Sequence, residues 1–247
     1  MTSTVSSSGR VSSASAAGSL RRRLLVTATV LAGLGGLALG VDLDVARWCK
    51  AGHIPKEVMR FLNFSEVFAH GVGVATLLLT AAVLDPTLGS KRAIPRFGSL
   101  PVSRDFVRMA MTAFAGGIMA NLIKETLVDR VRPRAADLSA AASALATFGD
   151  SIAANIASHS DANSFPSGHA ATAAGVAAAL SWKYPRGTWL FVALATAAAA
   201  QRVASSAHYP SDVLLGAALG VVGAALILGN ARPEARSEGV TISSVPE

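Results

Sequence analysis

Asn163-Ser164-Phe165-Pro166-Ser167-Gly168-His169-Ala170-Ala171-Thr172 is a polar turn that runs directly into an apolar run of small residues. Pro166, Ser167 and Gly168 are residue types that start helices, so the free N–H groups of a first helical turn should sit there. Those groups and the positive end of the helix dipole favour an anion. His169 stands at the same point and can give or take a proton. An anion cradle beside a proton carrier suits phosphate-ester cleavage. A Pro-Ser-Gly turn is also common before ordinary helices, so the rest of the chain has to decide.

The composition is that of a membrane protein. Of 247 residues 51% are hydrophobic and only 15% charged, whereas a soluble domain is nearer one quarter charged. The single cysteine, Cys49, excludes an internal disulfide and a cysteine-based metal cluster. The net charge of +7 lies in groups flanking apolar segments, which fits membrane orientation and argues against a nucleic-acid partner.

The expected fold is all-α, a six-helix integral membrane bundle. Residues 1–20, rich in Ser, Ala and Gly, read as a disordered cytoplasmic tail. Arg21-Arg22-Arg23 precede the first apolar run, 24–41, in which Gly36 and Gly40 have small-residue packing spacing. Ala38-Leu39-Gly40 also fits a cleavage site, but the long tail and a run able to span at ~20 residues favour a retained helix. Residues 42–64 mix charges with aromatics and read as interfacial. Further spans are expected at 67–84, 106–128, 169–182, 188–205 and 213–229. Between the third and fourth, Leu138, Leu145, Ile152 and Ile156 recur at helical spacing among polar residues, which predicts an amphipathic surface helix over 135–160. The membrane domain is expected over 21–230, with a polar cytoplasmic tail at 231–247.

Six spans put both termini on one side. Twelve Lys and Arg fall on that side and seven on the other. The bias places the termini in the cytoplasm.

With that topology the residues that look chemical gather on the opposite face. Lys124 ends span three and Arg132 follows it. Ser167, Gly168 and His169 open span four, Arg202 closes span five, and His208 and Asp212 precede span six. Asp212 stands four residues after His208 across a turn, where a carboxylate could fix the imidazole tautomer and leave the other nitrogen nucleophilic. A helix N-cap, with Ser211 as competitor, is the other reading of Asp212. Glu66 and His70, one turn apart near the outer end of span two, could contact a headgroup or support the site, or be an ordinary interface pair. Arg130 and Arg134 could attract an anionic headgroup. His53 and His159 are expected at the surface.

These segments resemble the signature of the type 2 phosphatidic acid phosphatase superfamily, in its integral-membrane branch. That signature has a Lys, six residues and Arg-Pro; then Pro-Ser-Gly-His; then Ser-Arg, five residues, His, three residues and Asp. Pro166–His169 is complete here. Arg202, His208 and Asp212 keep the spacing of the third motif, with Gln201 in place of its Ser. Arg132-Pro133 is present, but seven residues separate it from Lys124, and Glu125 occupies the expected lysine position. The extra residue is expected to be absorbed where the helix ends before Pro133, so that Lys124 faces the site and Glu125 a neighbouring Arg or solvent.

The resemblance implies a phosphatase acting on a lipid phosphate or pyrophosphate among membrane lipids. It implies that His208 attacks phosphorus with Asp212 orienting it, and that His169 acts as acid and then base. It also implies that Lys124, Arg132, Ser167, Gly168 and Arg202 hold the phosphate oxygens. With that fixed positive charge no metal and no cofactor is required. The rival readings are a lipid phosphotransferase with the same covalent step and a non-catalytic transporter. A transporter would place ionisable residues near mid-span, and the apolar middles contain almost none. Phosphatidic acid, phosphatidylglycerol phosphate, undecaprenyl pyrophosphate and lipid A all fit as substrate, and the residues do not fix an oligomeric state.

Overall fold

A computed structural model of the chain describes residues 8–89, 103–149 and 161–229. The described part is all-α, with helices α1 (Ser8–Ala38), α2 (Asp42–Lys50), α3 (Lys56–Ser65), α4 (Gly71–Leu84), α5 (Arg104–Thr126), α6 (Gly168–Lys183), α7 (Thr188–Ala204) and α8 (Pro210–Leu228). Helices α1, α4, α5, α6, α7 and α8 stand where the six apolar runs are. Two of them, α5 and α8, are by themselves long and apolar enough to cross a membrane. α1 with α2, and α3 with α4, pass that test only as pairs bent by 72° and 64°. α6 and α7 are shorter, at 16 and 17 residues. α1 begins at Ser8, inside the stretch expected to be a disordered tail.

Helices α5, α6 and α8 pack against one another, α1 lies on α8, and α7 lies on α6. Small residues set the distance, as they must where lipid offers a leucine no less apolar contact than a neighbouring helix does. A Cβ on Gly220 would sit 2.2 Å from the Ala171 carbonyl, and one on Gly116 would sit 2.4 Å from the Gly220 Cα. A Cβ on Gly216 would sit 2.3 Å from the Ser167 carbonyl oxygen, so Gly216 and Gly220 form a packing face on α8. The one expected at Gly36 and Gly40 is displaced: Gly36 has nothing within 4 Å, and it is Gly35 that meets Leu215.

In the α5–α6–α8 core one end of α5 and of α6 is stitched by polar contacts, and the opposite end of the core lies at a polar loop layer. At the first end Lys183 pairs with buried Asp105 at 2.9 Å, and the Tyr184 hydroxyl donates to Asp85 at 3.0 Å. At the other end α2 folds over the chain that follows α5. Leu43, Ala46, Val131, Ala136, Leu138 and Tyr209 make a small core there. Arg47 and Lys50 donate to the carbonyls of Leu138 and Ala136. Within the segment 42–64, α2 is thus a clamp on this layer, while α3 leaves Phe61 and Phe64 exposed as an interfacial helix would.

The amphipathic helix expected over 135–160 is absent from 135–149, where only a 3₁₀ turn, Ala144–Thr147, forms. Two causes are visible. The Asp137 carboxylate accepts from the Ser139 and Ala140 amides and turns the chain. Leu138 is drawn into the core under α2, while Leu145 is exposed, so the two do not share a face. Ile152, Ile156 and His159 lie outside the described residues.

Candidate active site

The site is assembled on three extended pieces of chain. Asp129–Arg132 runs between 147–149 and 161–164, bonded on one side by Val131 N to Thr147 O (3.0 Å) and on the other by Arg130 N to Ala162 O and Ser164 N to Arg130 O (both 2.8 Å). In an extended segment alternate side chains point to opposite faces. Arg130 and Arg132 are two apart, yet their surroundings differ. Arg130 is wholly buried, and Arg132 reaches a cavity.

That cavity measures about 710 Å³ and lies at the loop end of the helices. Lys124, Arg132, Gly168, His169 and His208 line it, joined on the far wall by His70. Lys124 is 9% exposed, on the last turn of α5. Glu125 is exposed and also reaches the cavity wall. The helix runs on to Thr126, and Leu127–Asp129 before the extended piece are non-helical. Gly168 and His169 are the first residues of α6, which places the positive end of its dipole at the cavity. Arg132 donates to the carbonyls of Ala207 and Asn163, which ties it to the segment bearing His208.

His208 sits between α7 and α8 and is 2% exposed. Its Nδ1 lies 2.7 Å from the Ser164 carbonyl oxygen. A donor is required at that nitrogen, so Nε2 carries the lone pair. Asp212 is not the direct partner that the four-residue spacing suggests: its Oδ2 is 3.8 Å from His208 Nδ1. It accepts instead from the Ser164 hydroxyl at 2.6 Å and from the Tyr209 amide at 2.9 Å. Asp212 therefore acts on His208 through Ser164 and through its charge, and as third residue of α8 it also closes a capping box with Tyr209. Burial holds the His208 imidazole well below its usual range, to about 4, although Asp212 pulls the other way. Such an imidazole is neutral near pH 7, the form a nucleophile needs.

Arg130 corrects an expectation. It is sealed from solvent and from any headgroup. Its guanidinium donates to Thr147 Oγ1 (2.8 Å), Ser211 Oγ (2.8 Å), Asp42 Oδ2 (2.7 Å) and Asp212 Oδ1. The rings of Phe148 and Tyr209 cover its two faces, at 4.5 and 4.0 Å. Arg134 pairs with Asp161 at 2.8 Å.

Two expected phosphate contacts are not at the cavity wall. Ser167 is fully buried, and its hydroxyl accepts from the Ala170 amide as the N-cap of α6. Arg202 is held by Glu66 Oε1 at 2.8 Å and by the Gln201 side chain. Gln201 in turn donates to Asn63 at 3.1 Å. Glu66 thus pairs with Arg202, and His70 faces His169 with ring centroids 6.1 Å apart. His53 stacks on Trp48 at 5.7 Å, away from the site.

Sequence reasoning missed Ser164 and Asp42. Ser164 adjoins the Pro-Ser-Gly-His motif, which is a signal of place but not of role. Asp42 carried none, since 88 residues separate it from Arg130.

Residues 106–234 match the family profile described as PAP2 superfamily. The lipid A 1-phosphatase of Rhizobium johnstonii is 34% identical over 130 residues, 53% of this chain and 49% of that protein. The lipid A 1-phosphatase of Rhizobium etli is 34% identical over 109 residues, 44% of this chain and 43% of that protein. The match thus spans about half or less of the length of these curated relatives. The crystal structure of Aquifex aeolicus LpxE superposes with a TM-score of 0.52 at 16% identity, covering 76% of this chain and 94% of that one. The first transmembrane PAP2 type phosphatidylglycerolphosphate phosphatase from Bacillus subtilis superposes with a TM-score of 0.55 at 18% identity, covering 84% and 93%. At those identities the structural likeness speaks for the fold.

Proposed function

The chain belongs to the PAP2 superfamily, and on that premise we propose that it is a six-span membrane phosphatase. It hydrolyses a lipid phosphate through a phospho-histidine on His208, at the extracytoplasmic end of the bundle. The observation that carries this reading is the cavity itself: two histidines, Lys124, Arg132 and the start of α6 meet around one space large enough for a phosphate and part of its headgroup.

In the first step Nε2 of His208 forms a bond to phosphorus as the ester P–O bond breaks. His169 gives its proton to the departing alkoxide. In the second step His169 takes a proton from water, the water oxygen attacks phosphorus, and the N–P bond breaks. Lys124 and Arg132 face the charge that grows on the phosphoryl oxygens. Arg202 joins them by moving off Glu66 or acts from its present place by charge alone.

The names of the curated relatives make lipid A the first substrate to try. Phosphate release by purified protein, measured with lipid A, phosphatidic acid, phosphatidylglycerol phosphate and undecaprenyl pyrophosphate, tests the reading. Release from at least one is expected, and release from none would overturn it. For sidedness, a reporter after Gly229 should be cytoplasmic and one near Ser143 external.

A further inference from the structure

We propose that Asp42, outside the matched segment 106–234, is a positioning residue for the covalent step, acting through Arg130 and Asp212 on His208. The inference rests on the phosphatase reading above.

Asp42 opens α2 and is 0% exposed, as are Arg130, Ser211 and Asp212. Its Oδ2 accepts from Arg130, its Oδ1 accepts from the Ser211 amide at 2.9 Å, and the Ser211 hydroxyl donates to it as well. Arg130 spends its other terminal nitrogen on Asp212 and Ser211. A continuous path therefore runs Asp42–Arg130–Asp212–Ser164–His208, with no exposed member between its ends. None of Asp42, Arg130, Ser211 or Asp212 lines the cavity.

The charges give the path its function. Arg130 is placed between two carboxylates, so the three groups together carry one net negative charge. If Arg130 had Asp212 alone, the pair would be neutral and the guanidinium would oppose positive charge on His208. Asp42 takes up that guanidinium charge and leaves the negative charge of Asp212 available. It is needed when His208 bonds to phosphorus, because the imidazole then becomes cationic. In a site shut from water such charges are weakly screened. The geometry also ties the N-terminal part of the chain to the chemistry: α2 is both the clamp on the loop layer and the source of the balancing carboxylate.

The test is Asp42→Asn, nearly the same in shape, assayed in detergent with whichever lipid phosphate the wild-type chain hydrolyses. Turnover is normalised to folded protein, and thermal unfolding is followed in parallel. The expected result is a kcat lower by roughly tenfold to a hundredfold with KM and inhibition by inorganic phosphate within about threefold, since the cavity wall is untouched. A merely structural role would lower the amount of folded protein and leave kcat per folded molecule unchanged. Should Asp42→Asn fail to fold, as removal of one member of a buried ion cluster can cause, Ser211→Ala takes its place. It deletes only the hydroxyl shared by Asp42 and Arg130 and keeps the Asp42 charge, so a smaller fall in kcat, about fivefold to tenfold, without a change in KM is expected from the loosened pairing. A kcat within threefold of wild type in the folded variant overturns the inference. Absence of activity in the wild-type chain would instead remove the phosphatase reading.

Discussion

Replacing Gly216 by alanine should damage catalysis from a position that never touches the cavity. Gly216 lies on α8 against the N-cap of α6. A Cβ there would stand 2.3 Å from the Ser167 carbonyl oxygen, and 3.1 and 3.2 Å from the Ser167 carbon and nitrogen. Ordinary contact begins near 3.4 Å, a shortfall of about 1.1 Å that backbone must absorb. The Ser167 amide is itself bonded to the Asp212 carbonyl at 3.0 Å, so the turn cannot swing away alone. The start of α6, with Gly168 and His169, then moves by about 1 Å relative to His208. A misplacement of that size costs about a hundredfold in rate, and overpacking should cost ~1–3 kcal/mol of stability. The assay is kcat/KM for lipid phosphate hydrolysis beside a thermal unfolding curve. Gly36→Ala, with nothing within 4 Å of its Cβ, is the control and should be neutral or stabilising. If Gly216→Ala keeps kcat/KM within threefold of wild type, the idea that α8 sets the position of the catalytic turn is wrong.

Three further outcomes are expected. Lys124→Ala should lower kcat/KM by about a hundredfold or more, as loss of one transition-state charge contact does, while Glu125→Ala should change it little; a nearly neutral Lys124→Ala would remove the lysine from the site. His208 is held by burial at a pKa of about 4, below its unfolded value, so its neutral form persists as pH falls through about 6.5 and is lost near 4. With an ester whose own phosphate ionises below about pH 5, kcat/KM should not decline between about pH 7 and 5, and an acid limb near 6.5 would contradict that. Activity should survive EDTA, because Lys124, Arg132 and the α6 terminus supply the positive charge; loss on chelation, restored by a divalent cation, would refute it.

The positions of the long helices were legible because apolar runs of that length are distinctive. Lys124 was legible as a cavity residue, but Glu125 reaches the same wall, so the argument that a Glu would be turned away from Arg132 did not separate the two. The loop layer was not legible. The spacing of Leu138 and Leu145 mimics a helix, but an Asx turn at Asp137 and the pull of α2 on Leu138 override it. The role of Arg130 was hidden for a related reason. An arginine followed at two and four residues by Arg132 and Arg134 in a loop reads as exposed, and the two buried carboxylates, Asp212 and Asp42 from a distant helix, make its burial tolerable. The spacing of His208 and Asp212 suggested a direct bond, but the turn puts the Ser164 carbonyl there first.

The account stands on His208 as the nucleophile, and trapping the covalent intermediate tests it most directly. Protein quenched during turnover of a ³²P-labelled lipid phosphate should carry acid-labile, alkali-stable label that maps to His208, and His208→Ala should lose both label and turnover. Label on another residue, or sustained turnover by His208→Ala, would contradict it.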